Sequence, residues 1–291
     1  MVMLAEFDYL VPESVGDAVA ALSATADGRP LAGGHGLLTS MKRRRQSPSL
    51  VVDLRRIGDL RGVSESTGDL CIGALTTLTQ LLDRPGLARR HPALIEAVRV
   101  TGDPQLRNRG TVGGSLATRH ACADLSAPLL LADAAVTVVG PDGERTLPLA
   151  DFYRTDGPPL GLSELVTVVH LPALPAGLGT AYERVTDRTT LEPVCGVAAG
   201  ARLAPDGTLD GVRLALTGGT FRPVRLTDAE RALTGTRLPV NPEHLPVGEL
   251  AGFVDDAVAS ATYRAHLTRV LVKRALSRAV TRRVPDPGTP G

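Results

Sequence analysis

The sequence predicts an α+β fold in two parts, on three observations. Helical apolar periodicity and short β-branched runs are mixed through the first part of the chain. The later elements segregate, strands first and helices last. Between the two parts lies a Pro- and Gly-rich stretch, Pro172 to Gly179, which marks a boundary.

Taken in order, Ser14 to Leu22 reads as a short helix. Ser14 is a good N-cap, Asp17 follows three residues on, and Val15, Ala18, Val19 and Leu22 share one face. Leu50 to Leu54 is a short buried strand and Asp69 to Ala74 another. Thr77 to Leu82 and Pro92 to Val100 read as helices, and Leu125 to Ala132 as a buried helix. Ala135 to Val139 is a strand followed by a turn at Pro141-Asp142-Gly143-Glu144. Leu165 to Leu171, apolar and β-branched, is a strand too. Beyond the boundary, Thr180 to Val185, Val194 to Leu203 and Gly211 to Thr217 form a second sheet. Helices then cover Thr227 to Leu233 and about Phe253 to Val280. The tail from Arg282 to Gly291 holds three prolines and is expected to fray.

Composition excludes several classes. The chain has 291 residues, 43% of them hydrophobic and 22% charged, the profile of a soluble globular protein. A net charge of +1 creates no global field toward nucleic acid or membrane. There is no tryptophan and aromatics are 3%, too few for a base-stacking platform. No apolar run reaches the roughly 18 residues of a membrane span, and the first residues lack a signal-peptide pattern; a cytoplasmic location is expected. Cys71, Cys122 and Cys195 are far apart with no CxxC pair, which predicts reduced, mostly buried thiols and no metal or iron–sulfur site on this chain.

Two glycine-rich segments stand out. One is Leu31-Ala32-Gly33-Gly34-His35-Gly36-Leu37-Leu38, the other Arg107-Asn108-Arg109-Gly110-Thr111-Val112-Gly113-Gly114-Ser115-Leu116. Both read as loops. Glycine admits close main-chain approach and positive φ, and successive exposed N–H groups cradle an anion such as a diphosphate. Neither segment fits the G-x-G-x-x-G fingerprint or the phosphate loop ending in Gly-Lys-Ser/Thr.

These segments, with Phe7-Asp8-Tyr9, Val52-Asp53-Leu54, Ile72-Gly73-Ala74, Asp124, Tyr182 to Arg188, Gly196 to Ala199 and Tyr263-Arg264-x-His266-Leu267, resemble one family. It is the FAD-binding medium subunit of molybdenum hydroxylases, of the xanthine dehydrogenase and carbon monoxide dehydrogenase type. The resemblance covers nearly the whole chain. It implies a two-lobed FAD-binding domain of the vanillyl-alcohol-oxidase class over residues 1–175, with subdomains of about 1–57 and 58–175. It implies a C-terminal α+β domain, with a small antiparallel sheet and helices, over 176–281.

The resemblance also implies roles. Ala32, Gly33, Gly34, His35 and Gly36, with Gly110, Thr111, Gly113, Gly114 and Ser115, would hold the FAD diphosphate from two sides. Thr101 would touch the flavin, Asp124 would hold a sugar or adenine-side polar group, Val166 would pack on the cofactor, and Arg184 would supply positive charge where the family often has Lys. Departures are Gly36 for a frequent Ser, Ser115 for the usual Asn, and Thr118-Arg119-His120-Ala121-Cys122 for a small, acidic stretch. His120 and Arg119 beside Cys122 suggest at most a flavin-adjacent thiol. Lys42-Arg43-Arg44-Arg45 is a short basic run, a solvated face, a docking surface for an acidic partner or an FAD phosphate neighbour.

The function implied is a flavoprotein subunit of a three-component oxidoreductase. Electrons would arrive from a molybdopterin subunit through a [2Fe–2S] subunit and leave from FAD to NAD⁺, oxygen or another acceptor. No catalytic side chain is required on this chain. Two alternatives stay open: a stand-alone flavin oxidoreductase acting on a small organic substrate, and a flavin-less scaffold subunit.

Overall fold

The computed structural model of the chain describes residues 4–66, 68–117, 123–154, 160–187, 193–241, 243, 245–247 and 252–282. The chain divides into two units by compactness. The first comprises Met1–Gln80, Asp103–Arg119 and Ala135–Leu171, the second Leu81–Gly102, His120–Ala134 and Pro172–Gly291. The chain enters the second unit for the last time at Pro172, where the sequence marks a boundary. Two earlier stretches, residues 81–102 and 120–134, also lie with the C-terminal unit.

Within the first unit, β1 (Asp8–Leu10), β2 (Arg29–Leu31) and β3 (Leu50–Asp53) form a parallel sheet in the order β1-β3-β2. The central strand β3 is apolar and buried, as a covered parallel strand must be. The helix Val15–Ser23 lies against it, capped by the Ser14 hydroxyl accepting from the Asp17 N–H at 3.0 Å. Its Ala18, Val19 and Leu22 pack with Val52, Leu54, Ile57 and Leu60.

The same unit holds a five-stranded antiparallel sheet of β4 (Val63–Ser66), β5 (Asp69–Gly73), β6 (Ala135–Gly140), β7 (Gly143–Pro148) and β8 (Leu165–Leu171), in the order β4-β5-β8-β6-β7. Both β4 and β7 lie outside the sequence expectations. Their residues, Val63-Ser64-Glu65-Ser66 and Gly143 to Pro148, are polar edge segments with little apolar alternation. Hairpin pairing with β5 and β6 makes them strands.

The second unit is built on an antiparallel sheet of β9 (Gly179–Thr186), β10 (Pro193–Leu203), β11 (Leu209–Thr217) and β12 (Val224–Arg225), in the order β12-β11-β10-β9. The first nine residues of β10, Pro193 to Ala201, are all buried. The helix Ala261–Ala279 packs on β9 and β10, and the helix Ser126–Leu131 on β10 and β11. A strand covered on both faces carries continuous apolar and small residues, as β10 does.

Two expectations are corrected. The last helix is shorter than Phe253 to Val280: it spans Ala261–Ala279. Asp255 and Asp256 accept from the backbone N–H groups of Ala261, Val258 and Ala259, which holds the preceding segment as a turn, and the Ser260 hydroxyl caps the helix. The two glycine segments are not loops throughout. They contain the starts of the helices His35–Lys42 and Val112–Ala117, and Arg107 to Arg109 close the helix Pro104–Arg109. Among the described residues no helix is long and apolar enough to cross a membrane.

Candidate functional site

The first glycine segment sits at the carboxyl end of the parallel sheet. β2 ends at Leu31, opposite Asp53 at the end of β3. Ligands of parallel sheets gather at this end. Gly34 turns the chain with φ +86° and is the N-cap of His35–Lys42, with no side chain to cap it. The first intrahelical bond runs from the Leu38 N–H to the Gly34 carbonyl at 3.0 Å. The N–H groups of His35, Gly36 and Leu37 precede it and have no partner within the helix. They point outward at the positive end of the helix dipole, where anions bind. His35 and Gly36 are exposed there.

The second segment is tied to the protein instead. Asp103 caps Pro104–Arg109, accepting from the Leu106 N–H at 2.7 Å. The N–H groups of Val112 and Gly113 donate to the carbonyls of Thr76 and Ala74 at 3.0 and 2.8 Å. Those of Gly114 and Ser115 go to the Thr111 hydroxyl and carbonyl. The amides of residues 110 and 112–115 therefore already have protein acceptors, whereas those of residues 35–37 have none within their helix.

The two segments touch through main chain. A Cβ on Gly33 would run into the Arg109 carbonyl oxygen and lie 3.1 Å from the Gly110 Cα. One on Gly113 would meet the Ala74 Cβ at 2.5 Å. These two glycines are thus required by protein neighbours. Beside their junction is a cleft of about 130 Å³, lined by Ala32, Gly33 and Thr111 and by Arg55, Arg61 and Arg109. Asp53, buried, also faces it, accepting from the Tyr9 hydroxyl and from the Arg55 N–H at 2.9 Å. Sequence reasoning did not single out Arg55 or Arg61; both lie in a stretch without motif or periodicity. Val166 is buried on β8, in register with Val138.

The second unit carries a separate polar cluster. Asp124 is buried and accepts three hydrogen bonds: from the Tyr182 hydroxyl at 2.7 Å, from Arg184 Nη1 at 2.7 Å and from the Thr101 hydroxyl at 3.1 Å. Burial pushes the Asp124 carboxyl up, while the Arg184 charge and the three donors pull it down. Burial, with the Asp124 charge beside it, lifts the Tyr182 phenol well above its ordinary value. Three sequence-predicted residues, Thr101, Asp124 and Arg184, therefore meet.

Tyr182 completes the cluster and was not among the expected site residues. Strand alternation is the signal that finds it, because residues 182 and 184 share one face of β9. Thr118 to Cys122, with His120 and Cys122, lie outside the described residues. Burial pushes the Cys195 thiol up to about 12, the behaviour of a packed, unreactive sulfur. Among the described residues no group of three or more His, Cys, Asp or Glu could hold a metal.

Residues 5–174 match the FAD binding domain in molybdopterin dehydrogenase, and residues 181–279 the CO dehydrogenase flavoprotein C-terminal domain. The chain is 34% identical over 281 residues to the carbon monoxide dehydrogenase medium chain of Afipia carboxidovorans, covering 95% of this chain and 97% of that one. It is 34% identical over 285 residues to the 6-hydroxypseudooxynicotine dehydrogenase complex subunit alpha of Paenarthrobacter nicotinovorans, covering 96% of each. Its structure superposes on a chain of the cyanide-inactivated Cu,Mo-CO dehydrogenase with a TM-score of 0.89 and 33% identity, covering 96% of this chain and 99% of that one.

Proposed function

The chain belongs to the FAD-binding medium subunits of the molybdenum hydroxylases, and from that membership we propose that it relays electrons from a [2Fe–2S] partner subunit, through its FAD, to an acceptor such as NAD⁺ or oxygen. It is an FAD-dependent oxidoreductase component of a multi-subunit dehydrogenase. FAD supplies the redox chemistry when bound.

The observation that carries the reading is the uncapped helix start at Gly34, beside a cleft lined by three arginines. Residues of this kind fit a diphosphate: open N–H donors, a helix dipole and neighbouring guanidinium groups, with no side chain at Gly36. The segment Ala32 to Gly36 cradles the diphosphate, with the N–H groups of His35 and Gly36 as donors. Thr111 and Ser115 contribute hydroxyls, and Gly110, Gly113 and Gly114 shape the wall. Val166 contributes apolar surface. In the second unit, Asp124, Thr101 and Arg184 hold polar groups of FAD, and Arg184 supplies positive charge to it. No side chain need give or take a proton for electrons to pass.

Gly36→Asp tests this. A carboxylate at a helix start does not destabilise the helix, but it repels a diphosphate. Full-length protein carrying it should melt no lower than wild type without cofactor, yet bind FAD at least tenfold more weakly. Unchanged FAD affinity would remove the helix start from the site. The visible spectrum of the purified chain, and co-purification of an iron-containing partner, test the rest. Turnover of an organic substrate by the isolated chain would replace the relay with direct oxidation.

A further inference from the structure

The helix His35–Lys42 has two ends of different chemistry. Its start carries the open amides beside Gly34, and its finish runs into Lys42-Arg43-Arg44-Arg45. The run is exposed throughout, yet both of its sides are anchored. Met41 before it and Pro48 after it are buried, and the Ser49 N–H donates to Asp27 Oδ2 at 3.1 Å. The chain leaves the helix by a tight turn: the Arg45 N–H donates to the Ser40 carbonyl at 2.9 Å and the Arg44 N–H to the Met41 carbonyl at 3.0 Å. Such a turn holds one residue in the left-handed region, where glycine is favoured. Here that residue is Arg44, with φ +53°. Among the described residues no carboxylate pairs with any of the four cations. The helix dipole accounts for Lys42, in the last turn, but its effect fades beyond that turn. It does not account for Arg44 and Arg45, whose like charges also repel their neighbours. An arginine at a glycine position, inside an unpaired basic run, gives up local stability for charge at one place.

We propose that Lys42 to Arg45 form a docking surface for an acidic face of the electron-donating iron–sulfur subunit. The inference rests on the relay reading above. Opposite charge selects such a partner and steers its approach. The eight residues of the helix span about 12 Å. A protein seated on the run therefore lies about one helix length from the amides that meet the diphosphate. The element that holds the cofactor at one end receives the electron donor at the other.

The test uses the FAD-loaded full chain and the iron–sulfur subunit taken from its native complex, recombined over a range of ionic strength. Arg43→Glu with Arg45→Glu reverses the surface without touching a buried group. Its dissociation constant for the iron–sulfur subunit should rise about tenfold or more at low salt. The gap to wild type should narrow toward about 1 M salt, where screening acts within about 3 Å. Arg44→Gly separates charge from folding. It relieves the left-handed turn, so it should melt at or above the wild-type temperature. It should nevertheless bind the partner about threefold more weakly, the scale of one exposed ion pair. Wild-type affinity in both variants would overturn the docking surface alone. So would a weaker hold on FAD with partner affinity unchanged, which would make the run a neighbour of the cofactor phosphate. Charge-dependent binding to phosphatidylserine vesicles, with partner affinity unchanged, would give the surface to a membrane and overturn the proposal likewise. If native preparations of the wild-type chain carry no iron–sulfur subunit, the relay reading falls and the proposal with it.

Discussion

At Gly33 a missing Cβ does structural work: the Arg109 carbonyl occupies the place where it would sit. Gly33→Ala should therefore cost about 1–3 kcal/mol, as overpacking does, read as a lower melting temperature even without cofactor. Gly34→Ala acts differently. It forces a φ of +86° on an L residue and crowds Leu38, and about 1–2 kcal/mol is expected. The sequence shows both glycines alike. Their separate reasons, a close approach at one and a left-handed turn at the next, are visible only with the second segment in place. Cysteine chemistry belongs to this scale too. Cys195, wholly buried on β10 with its thiol pushed up to about 12, should resist iodoacetamide in native protein and react once the chain is unfolded. Alkylation of native Cys195 at the rate of a free thiol would show that β10 opens readily.

Among the elements, the helix start at Ser14 is legible in the sequence. Ser14 announced its helix, and the bond to the Asp17 N–H is present; Ser14→Ala should cost about 1 kcal/mol. The helices beginning at His35 and Val112 were read as loops, because glycine pairs depress helix propensity. Neighbours override it: the carbonyls of Thr76 and Ala74 anchor the first turn of Val112–Ala117. The edge strand β7 was hidden for a similar reason, and one ion pair now secures it. Arg145 on β7 makes a two-pronged pair with Glu164, just before β8. The Arg145 guanidinium holds the Glu164 carboxyl below its ordinary 4.5. A depressed carboxyl stabilises the fold above its unfolded value and loses that contribution as pH falls through the folded one. Glu164→Gln should thus be less stable at pH 7 by about 0.5 kcal/mol, since the pair is partly exposed. The gap to wild type should close below pH 4.5, as followed by urea unfolding across pH.

For the molecule as a whole, compactness does not follow chain order. Residues 81–102 and 120–134 are embedded early in the sequence but pack with the C-terminal sheet. The helix Pro92–Val100 lies on β9, and Glu96 within it joins Arg278 and Arg282 from the end of the chain. Leu271, fully buried in the core of this unit, should cost 2–5 kcal/mol on change to Ala, about the usual range for such cavities. Because Thr101 and Asp124 stand on these early stretches, Leu271→Ala is also expected to weaken FAD binding, measured by flavin release on mild heating. Full retention of flavin in a destabilised variant would separate the cluster from this core.

Local order came from the amino-acid chain alone: strand and helix periods, the Ser14 cap and the paired glycine segments. These are short-range or compositional properties, written in neighbours a few residues apart. Tertiary structure decided which glycine serves protein and which leaves donors open, that Tyr182 closes the ring of contacts around Asp124, and that Arg55 and Arg61 line the cleft. Each depends on groups tens of residues away meeting in space, and hydrogen-bond partners and burial exist only once those segments have packed.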